Sequence, residues 1–221
     1  MSFAREGYPF IGLAVILAAS AWAAVAAGWG GIWMYVTGAL LTTLSLFVLW
    51  FFRNPEPDVP TDAGVVVAPG QGKIIIVEEA DEPTFIGGRA RKISIFLNVF
   101  DVHVQRAPVS GVVEYRKYRP GAYAVAWADK ASEINEQASL GIATPAGKVL
   151  VKQIAGLIAR RIVTDPEEGH EVHRGRRIGL IRFGSRVDLF LPLDWEITTK
   201  IGDKVRVGSS ILARHPVESG S

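Results

Sequence analysis

The chain begins with a long apolar segment that carries no charged side chain. Residues 7–52 are almost all hydrophobic or small, and a glycine-rich turn at 28–31 divides them into two parts. The parts, 9–27 and 32–52, each match the ~20 residues that a helix needs to cross a bilayer. The pattern therefore predicts a hairpin of two membrane helices over residues 1–52.

The charges that flank this hairpin predict its orientation. Arg5 precedes it and Arg53 follows it, whereas the turn is uncharged. Since basic residues favour the cytoplasmic side, both ends are predicted there, with the rest of the chain on the cytoplasmic face of the inner membrane. Two alternatives stay open: the small residues of 19–24 also suit a signal peptide, and the hairpin could lie in one leaflet. In each case the second segment keeps the following domain at a membrane.

The pattern changes after a proline-rich linker at 53–60. Apolar runs that flank turns with Pro or Gly then recur, at 65–77, 104–115, 142–151 and 201–212. Short strands with frequent turns are typical of antiparallel β-structure. We therefore predict an α+β, mainly β fold with barrel-sandwich-like antiparallel sheets over 61–221, similar to lipoyl and biotinyl domains. Only 130–140 and 153–162 have the pattern of helices.

Composition excludes several classes of function. The net charge of +2 is close to balance, so no nucleic-acid partner is predicted. The sequence has no cysteine, which excludes disulfides and thiol chemistry. His170 and His173 lie three residues apart in a polar loop, but without further clustered ligands we predict no metal site.

One strand near the C-terminal end is interrupted at its centre. Residues 177–182 and 187–191 show the alternation of β-structure, but Gly184 and Ser185 separate them. A glycine weakens a strand interior and usually marks a β-bulge there. Because Gly-Ser pairs also occur at 208–209 and 220–221, the dipeptide alone indicates no chemistry.

The surroundings of this pair carry a more specific signal. Three segments, 96–111, 129–137 and 153–192, together with the hairpin and the following FFRNPEP, resemble the short bacterial and archaeal form of phosphatidylserine decarboxylase. The resemblance covers nearly the whole chain, and RFGSRVD, 182–188, is its most specific block. It implies decarboxylation of phosphatidylserine to phosphatidylethanolamine and carbon dioxide.

The resemblance also implies that the chain cleaves itself between Gly184 and Ser185. The Ser185 hydroxyl would attack the Gly184 carbonyl carbon, and elimination would leave a covalent pyruvoyl group derived from Ser185. A large piece, 1–184, and a small piece, 185–221, would stay together as one domain. Phosphatidylserine and membrane lipid are then the expected partners, and a homodimer stays open.

Four further residues are candidates for substrate chemistry. His103, in FDVH, is the expected proton donor, because imidazole exchanges a proton near neutral pH. Arg106, Arg160 and Arg161 are candidate partners of the lipid phosphate or carboxylate, since a guanidinium suits both. For each arginine, a role in surface solubility is the alternative.

One position departs from the family pattern. In APGQG, Gln71 stands where the family has an aspartate that assists self-cleavage, and an amide cannot accept a proton. Asp101, two residues before His103, is a candidate substitute for that carboxylate. Slow processing is therefore one expectation, and a non-catalytic membrane-anchored module is the alternative function. The hairpin argues against a third class, a pyruvoyl decarboxylase of a soluble amino acid.

Overall fold

The computed structural model describes residues 2–121, 135–156, 161–182 and 185–216. The chain divides into two compact units, Met1–Glu56 and Pro57–Ser221. The fold class is α+β and mainly β, as the sequence pattern predicts.

The N-terminal unit is a pair of helices. Helix α1 (Tyr8–Ala26) and helix α2 (Gly31–Phe51) lie within one residue of the predicted spans. Strand β1 (Ser2–Phe3) pairs with strand β2 (Arg53–Asn54), so the first two residues of the predicted linker form a strand. Gly30 between the helices has a φ of 83°, which glycine adopts without strain.

Small residues line the contact between the two helices. On α1 the buried side chains are alanines at helical spacing: Ala14, Ala18 and Ala21. On α2, a Cβ at Gly38 would lie 3.0 Å from the Trp22 ring, so the missing side chain permits close packing. Both helices are long and apolar enough to cross a membrane, which suggests membrane association.

The C-terminal unit consists of antiparallel strands. They are β3 (Val65–Val67), β4 (Gly72–Glu82), β5 (Gly88–Leu97), β6 (Val104–Arg106), β7 (Gly111–Arg119), β8 (Gln137–Thr144), β9 (Gly147–Ala155), β10 (Ile162–Thr164), β11 (Glu171–Val172), β12 (Arg177–Ile181), β13 (Ser185–Leu191), β14 (Glu196–Ile197), β15 (Lys204–Val205) and β16 (Ile211–Arg214). An eight-stranded sheet has the order β11-β7-β8-β9-β13-β5-β4-β15. Two three-stranded sheets have the orders β10-β12-β6 and β14-β16-β3.

The turn-rich segments serve two different purposes in this topology. Residues 142–151 form the β8–β9 hairpin, whereas 65–77 and 104–115 are corners at which the chain changes sheets. The interrupted strand is also such a corner, because β12 belongs to a three-stranded sheet and β13 to the eight-stranded one. Ser185, the first residue of β13, therefore lies where the chain has passed from one sheet into another.

One face of the eight-stranded sheet forms the hydrophobic core. Alternate residues of β5, β9 and β13 are fully buried there: Ile93, Ile95, Leu97, Val149, Val151, Ala155, Val187, Leu189 and Leu191. Ser185 lies on this same face, because side chains two residues apart in a strand point to the same side.

Both helix predictions are wrong in the part of the chain that the structure describes. Residues 137–140 belong to β8, and 153–155 belong to β9. Ala138, Leu140 and Ile142 alternate onto the core face, and pairing with neighbouring strands prevails over a short apolar run that also suits a helix. The remainder of both segments lies partly outside the described residues.

Candidate active site

Ser185 begins the central strand of the eight-stranded sheet. Its Cα partners are Leu97 on β5 and Ala155 on β9, so both neighbours are apolar. The residue is fully buried, and its Oγ has no hydrogen-bond partner in the described structure. A buried hydroxyl without a partner is uncommon in folded proteins, and a catalytic role is one explanation for it. Gly184 lies outside the described residues.

His103 is held close to the segment before Ser185 and follows the strand that pairs with Ser185. Immediately after Leu97, Asn98 N donates to Asp101 Oδ2 at 2.9 Å and closes a short turn. This turn leads directly to His103, whose carbonyl accepts a bond of 3.3 Å from Ile181 N, four residues before Ser185. The topology therefore brings the predicted proton donor to the end of the sheet where Ser185 lies.

The His103 ring has one nitrogen whose role the backbone defines. Nδ1 lies 3.0 Å from the Asp101 carbonyl oxygen, and the ring is fully buried. A carbonyl oxygen can only accept, so Nδ1 carries the proton of a neutral ring. Proton exchange is then left to Nε2. Asp101 contacts the ring through its backbone, whereas its carboxylate bonds Asn98 N.

Two glutamines that sequence reasoning missed fix the sheets around this histidine. Gln105 Nε2 donates to the His103 carbonyl at 2.6 Å, and its Oε1 accepts from Gln153 Nε2 at 2.9 Å. Thr164 Oγ1 donates to Gln153 Oε1 at 2.7 Å. This amide network links the sheet of β6 and β10 to β9, with both glutamines buried. Their polarity inside apolar runs was the available signal.

Gln71 lies close to the same end of the sheet. A Cβ at Gly70 would lie 3.4 Å from side-chain atoms of Leu97 and Val187. A Cβ at Gly72 would lie 2.0 Å from the Phe96 carbonyl oxygen, so only glycine fits there. Gln71 between them is half-buried beside the strand that pairs with Ser185.

The predicted arginines occupy different environments. Arg106 is buried, and its Nη1 donates to the Gly175 carbonyl at 3.0 Å. Arg161 is exposed, and its carbonyl accepts from Arg182 N at 3.3 Å, three residues before Ser185. Arg160 lies outside the described residues. Substrate binding by these residues stays a prediction.

The opposite face of the sheet behind Ser185 carries buried charges. Arg186 Nε donates to Asp188 Oδ1 at 2.6 Å, and both side chains are fully buried. Farther along this face, Lys152 Nζ lies 3.0 Å from Glu82 Oε1. Burial acts to raise the pKa of Glu82, but bonds from Thr84, two backbone amides and Lys152 prevail and lower it to about 2.

The described residues also line a cavity that is not part of this site. It has a volume of about 620 Å³ and includes Thr144, Ala146 and Arg174 in its wall. The β8–β9 turn lies at one end of β9, and Ala155, the partner of Ser185, at the other. Nine residues of strand separate these ends by roughly 27 Å, so this cavity does not reach Ser185.

Comparison with known proteins assigns the chain to a family. The sequence model of the phosphatidylserine decarboxylase family matches residues 44–213. A protein of Symbiobacterium thermophilum is 49% identical over 96% of this chain and 95% of its own length. A protein of Desulfotalea psychrophila is 45% identical over 96% of this chain and 95% of its own length. A protein of Salinibacter ruber is 47% identical over 87% of this chain and 87% of its own length.

All three relatives are named phosphatidylserine decarboxylase proenzyme. The match spans both units and includes Ser185, His103 and Gln71 within the family region. Because identity this high extends over almost the full length of both sequences, this chain belongs to the phosphatidylserine decarboxylase family, whose members are carboxy-lyases.

Proposed function

We propose that this protein is a proenzyme that cleaves itself between Gly184 and Ser185 and then decarboxylates phosphatidylserine to phosphatidylethanolamine. The observation that carries the proposal is the position of Ser185: a fully buried hydroxyl without a partner in the described structure, at a corner between two sheets. Family membership supports the substrate and the proenzyme character.

Self-cleavage would use the Ser185 hydroxyl as the nucleophile. Its oxygen attacks the Gly184 carbonyl carbon, and the amide becomes an ester. Elimination then releases the Gly184 carboxylate, and loss of ammonia with uptake of water leaves a pyruvoyl group at residue 185. β13 pairs with β5 as far as Leu191 and with β9 as far as Phe190. The small piece would therefore stay in the sheet.

The surroundings of Ser185 fit a pyruvoyl group. Leu97 and Ala155 flank the position with apolar side chains, and Ser185 is fully buried. When formed, the group supplies a ketone that binds the substrate amine and accepts electrons as carbon dioxide leaves. The protein's own task is to position the lipid head and to deliver one proton.

His103 is the proposed source of that proton. Its Nδ1 is committed to the Asp101 carbonyl, so Nε2 would deliver the proton to the substrate α-carbon after carbon dioxide leaves. Exposed Arg161, whose carbonyl accepts from Arg182 N in the segment that leads to Ser185, is the proposed partner of a lipid phosphate. Arg106, which is buried, and Arg160, which lies outside the described residues, complete the proposed substrate-binding set.

The two N-terminal helices favour a substrate that stays in the bilayer. We place the protein at the inner membrane with both ends of the hairpin in the cytoplasm, on the charges of Arg5 and Arg53. The domain boundaries 1–52, 53–60 and 61–221 belong to this proposal.

The direct test of the proposed reaction is release of carbon dioxide from carboxyl-labelled phosphatidylserine in detergent micelles. The wild-type protein should release it, and Ser185→Ala should not, because no pyruvoyl group can form. Labelled free serine is the matched substrate control and should be a poor substrate. Release from neither compound by the wild type would favour the non-catalytic module, and efficient release from free serine would favour a soluble substrate.

A further inference from the structure

Three residues form a row across adjacent strands at the end of the eight-stranded sheet. Ser185 on β13 is the Cα partner of Ala155 on β9. Gln137 is opposite Ile154, and Ala155 N donates to the Glu136 carbonyl at 2.9 Å, so Glu136 is opposite Ala155. Cross-strand partners place their side chains on one face of a sheet. Ser185, Ala155 and Glu136 therefore share the core face.

The two ends of this row carry buried polar atoms of an unusual kind. Glu136 is 3% exposed; its Oε1 accepts from Tyr118 Oη at 3.0 Å, but its Oε2 is buried without a partner. Ser185 Oγ is buried and without a partner in the same described structure. Buried polar atoms normally form hydrogen bonds, so two exceptions in one row indicate a polar ligand.

The side chain at the centre of the row is small. Two strand spacings put the Cα atoms of Ser185 and Glu136 about 10 Å apart. Ala155 between them has only a methyl group as its side chain. Asn135 Nδ2 donates to the Ala155 carbonyl oxygen at 2.7 Å. A cavity of about 620 Å³ has Tyr118, the hydrogen-bond partner of Glu136, in its wall, together with Ala138 and Thr164.

We infer that Glu136 binds the ammonium group of the substrate and takes a proton from it; this inference rests on the proposed function. A carboxylate buried without a cation among the described residues favours a cationic group. The proposed substrate carries one ammonium group, and its nitrogen must reach the group formed at Ser185. Tyr118 keeps Oε1 occupied, which leaves Oε2 to receive the ligand.

The proton transfer balances without a further reagent. An N–H bond of the ammonium breaks, its electron pair stays on nitrogen, and the proton moves to Glu136 Oε2. The neutral nitrogen could then attack the ketone carbon at residue 185. The carboxyl group of Glu136 would pass the proton to the ketone oxygen, which departs as water. Glu136 ends as the carboxylate with which it began.

The test measures binding in the absence of turnover. Mature protein is treated with borohydride without lipid, which converts a keto group into an unreactive alcohol and adds 2 Da to the 185–221 piece. Affinities for short-chain phosphatidylserine and for its N-acetyl derivative, which lacks the cation, are then compared in detergent. The reduced wild type should prefer phosphatidylserine by about tenfold, as loss of one charged hydrogen bond predicts.

The Glu136→Gln variant should lose this preference, since the amide retains an acceptor for Tyr118 but carries no charge. Tyr118→Phe, which leaves the charge in place, should reduce the preference only in part. Glu114→Gln, an exposed change on β7, is the matched control and should bind like the wild type.

Each outcome has a distinct meaning. A wild-type protein with no preference, or a Glu136→Gln variant that keeps it, overturns the inference. A Tyr118→Phe variant with the full preference contradicts the assignment of Oε1. Absence of the 2 Da gain in the wild type contradicts the proposed function itself.

Discussion

At the scale of the residue, Gln71 is where we expect the chemistry of this chain to depart from the family pattern. Glycines on both sides hold it against the strand that pairs with Ser185. An amide at this position offers hydrogen bonds but no base. The proposed self-cleavage would therefore depend on another proton acceptor, and His103, which the topology brings to the same end of the sheet, is the one that we propose.

The Gln71→Asp variant should cleave faster than the wild type. A positioned general base typically contributes about 10²-fold to 10⁴-fold, so we expect acceleration of about 10²-fold. The measurement is the half-life of the intact chain on denaturing gels after synthesis. Gln71→Asn is the matched control and should not accelerate cleavage. Equal half-lives for the aspartate and wild-type proteins would remove position 71 from maturation.

The His103→Ala variant should lose turnover even in molecules that have already been cleaved. Protonation of the substrate carbon needs the acid that we assign to His103 Nε2, so activity per pyruvoyl group should fall by about 10²-fold to 10⁴-fold. The measurement is carbon dioxide release divided by the amount of the 185–221 piece.

His173→Ala, a change in an exposed loop, is the control for His103→Ala and should match the wild type. Cyanoborohydride should still attach phosphatidylserine to the small piece of the His103 variant, because attachment comes before protonation. Full activity per pyruvoyl group in that variant would exclude His103 from the reaction.

At the scale of the element, the eight-stranded sheet presents two faces with different electrostatics. The core face carries Ser185 and Glu136, whereas the other face carries the Arg186–Asp188 and Lys152–Glu82 pairs. Glu82 is fully buried and has a pKa of about 2 in the folded protein, against an ordinary value of 4.5. Its stabilisation of the sheet therefore depends on pH.

The depressed pKa of Glu82 predicts a loss of stability in acid. A carboxyl group whose pKa is lower when folded stabilises fully above its unfolded pKa and loses that effect as pH falls through the folded pKa. The loss should occur between pH 4.5 and about 2 and amount to on the order of 3 kcal/mol. The Glu82→Gln variant should have a lower Tm than the wild type at pH 7. Its Tm should also fall less steeply than that of the wild type below pH 4.5.

Thermal melting in detergent across this pH range checks the prediction. Glu114→Gln, which removes an exposed carboxylate, should melt like the wild type at every pH. A constant difference in Tm between Glu82→Gln and the wild type from pH 7 to 2.5 would contradict the assigned pKa.

Sequence patterns predicted the N-terminal helices correctly and segment 137–140 incorrectly, and both outcomes have physical reasons. The hairpin spans agree within one residue because a bilayer-length apolar run has few alternative structures. The segment 137–140 was predicted to be helical because short apolar runs suit both periodicities, and pairing with β7 and β9 decided the outcome. Ser185 and His103 are predicted through the resemblance to a known family. Glu136 becomes a candidate only because the strand register places it opposite Ala155, and no local sequence pattern predicts that register.

At the scale of the whole molecule, the proposed cleavage point lies between two strands that belong to different sheets. β12 and β13 belong to different sheets, so a break between them interrupts neither ladder of backbone hydrogen bonds. β13 pairs with β5 and β9 on its two sides and would keep the 185–221 piece in place. Cleavage is therefore compatible with an intact core.

Intact mass spectrometry of the purified protein tests the central claim most directly. The account predicts two pieces, of which the smaller spans residues 185–221, begins with a pyruvoyl group and resists Edman degradation because it has no amino terminus. Ser185→Ala should yield only the uncleaved chain. An uncleaved wild-type chain after prolonged incubation, or a small piece that begins with an ordinary serine, would contradict the account.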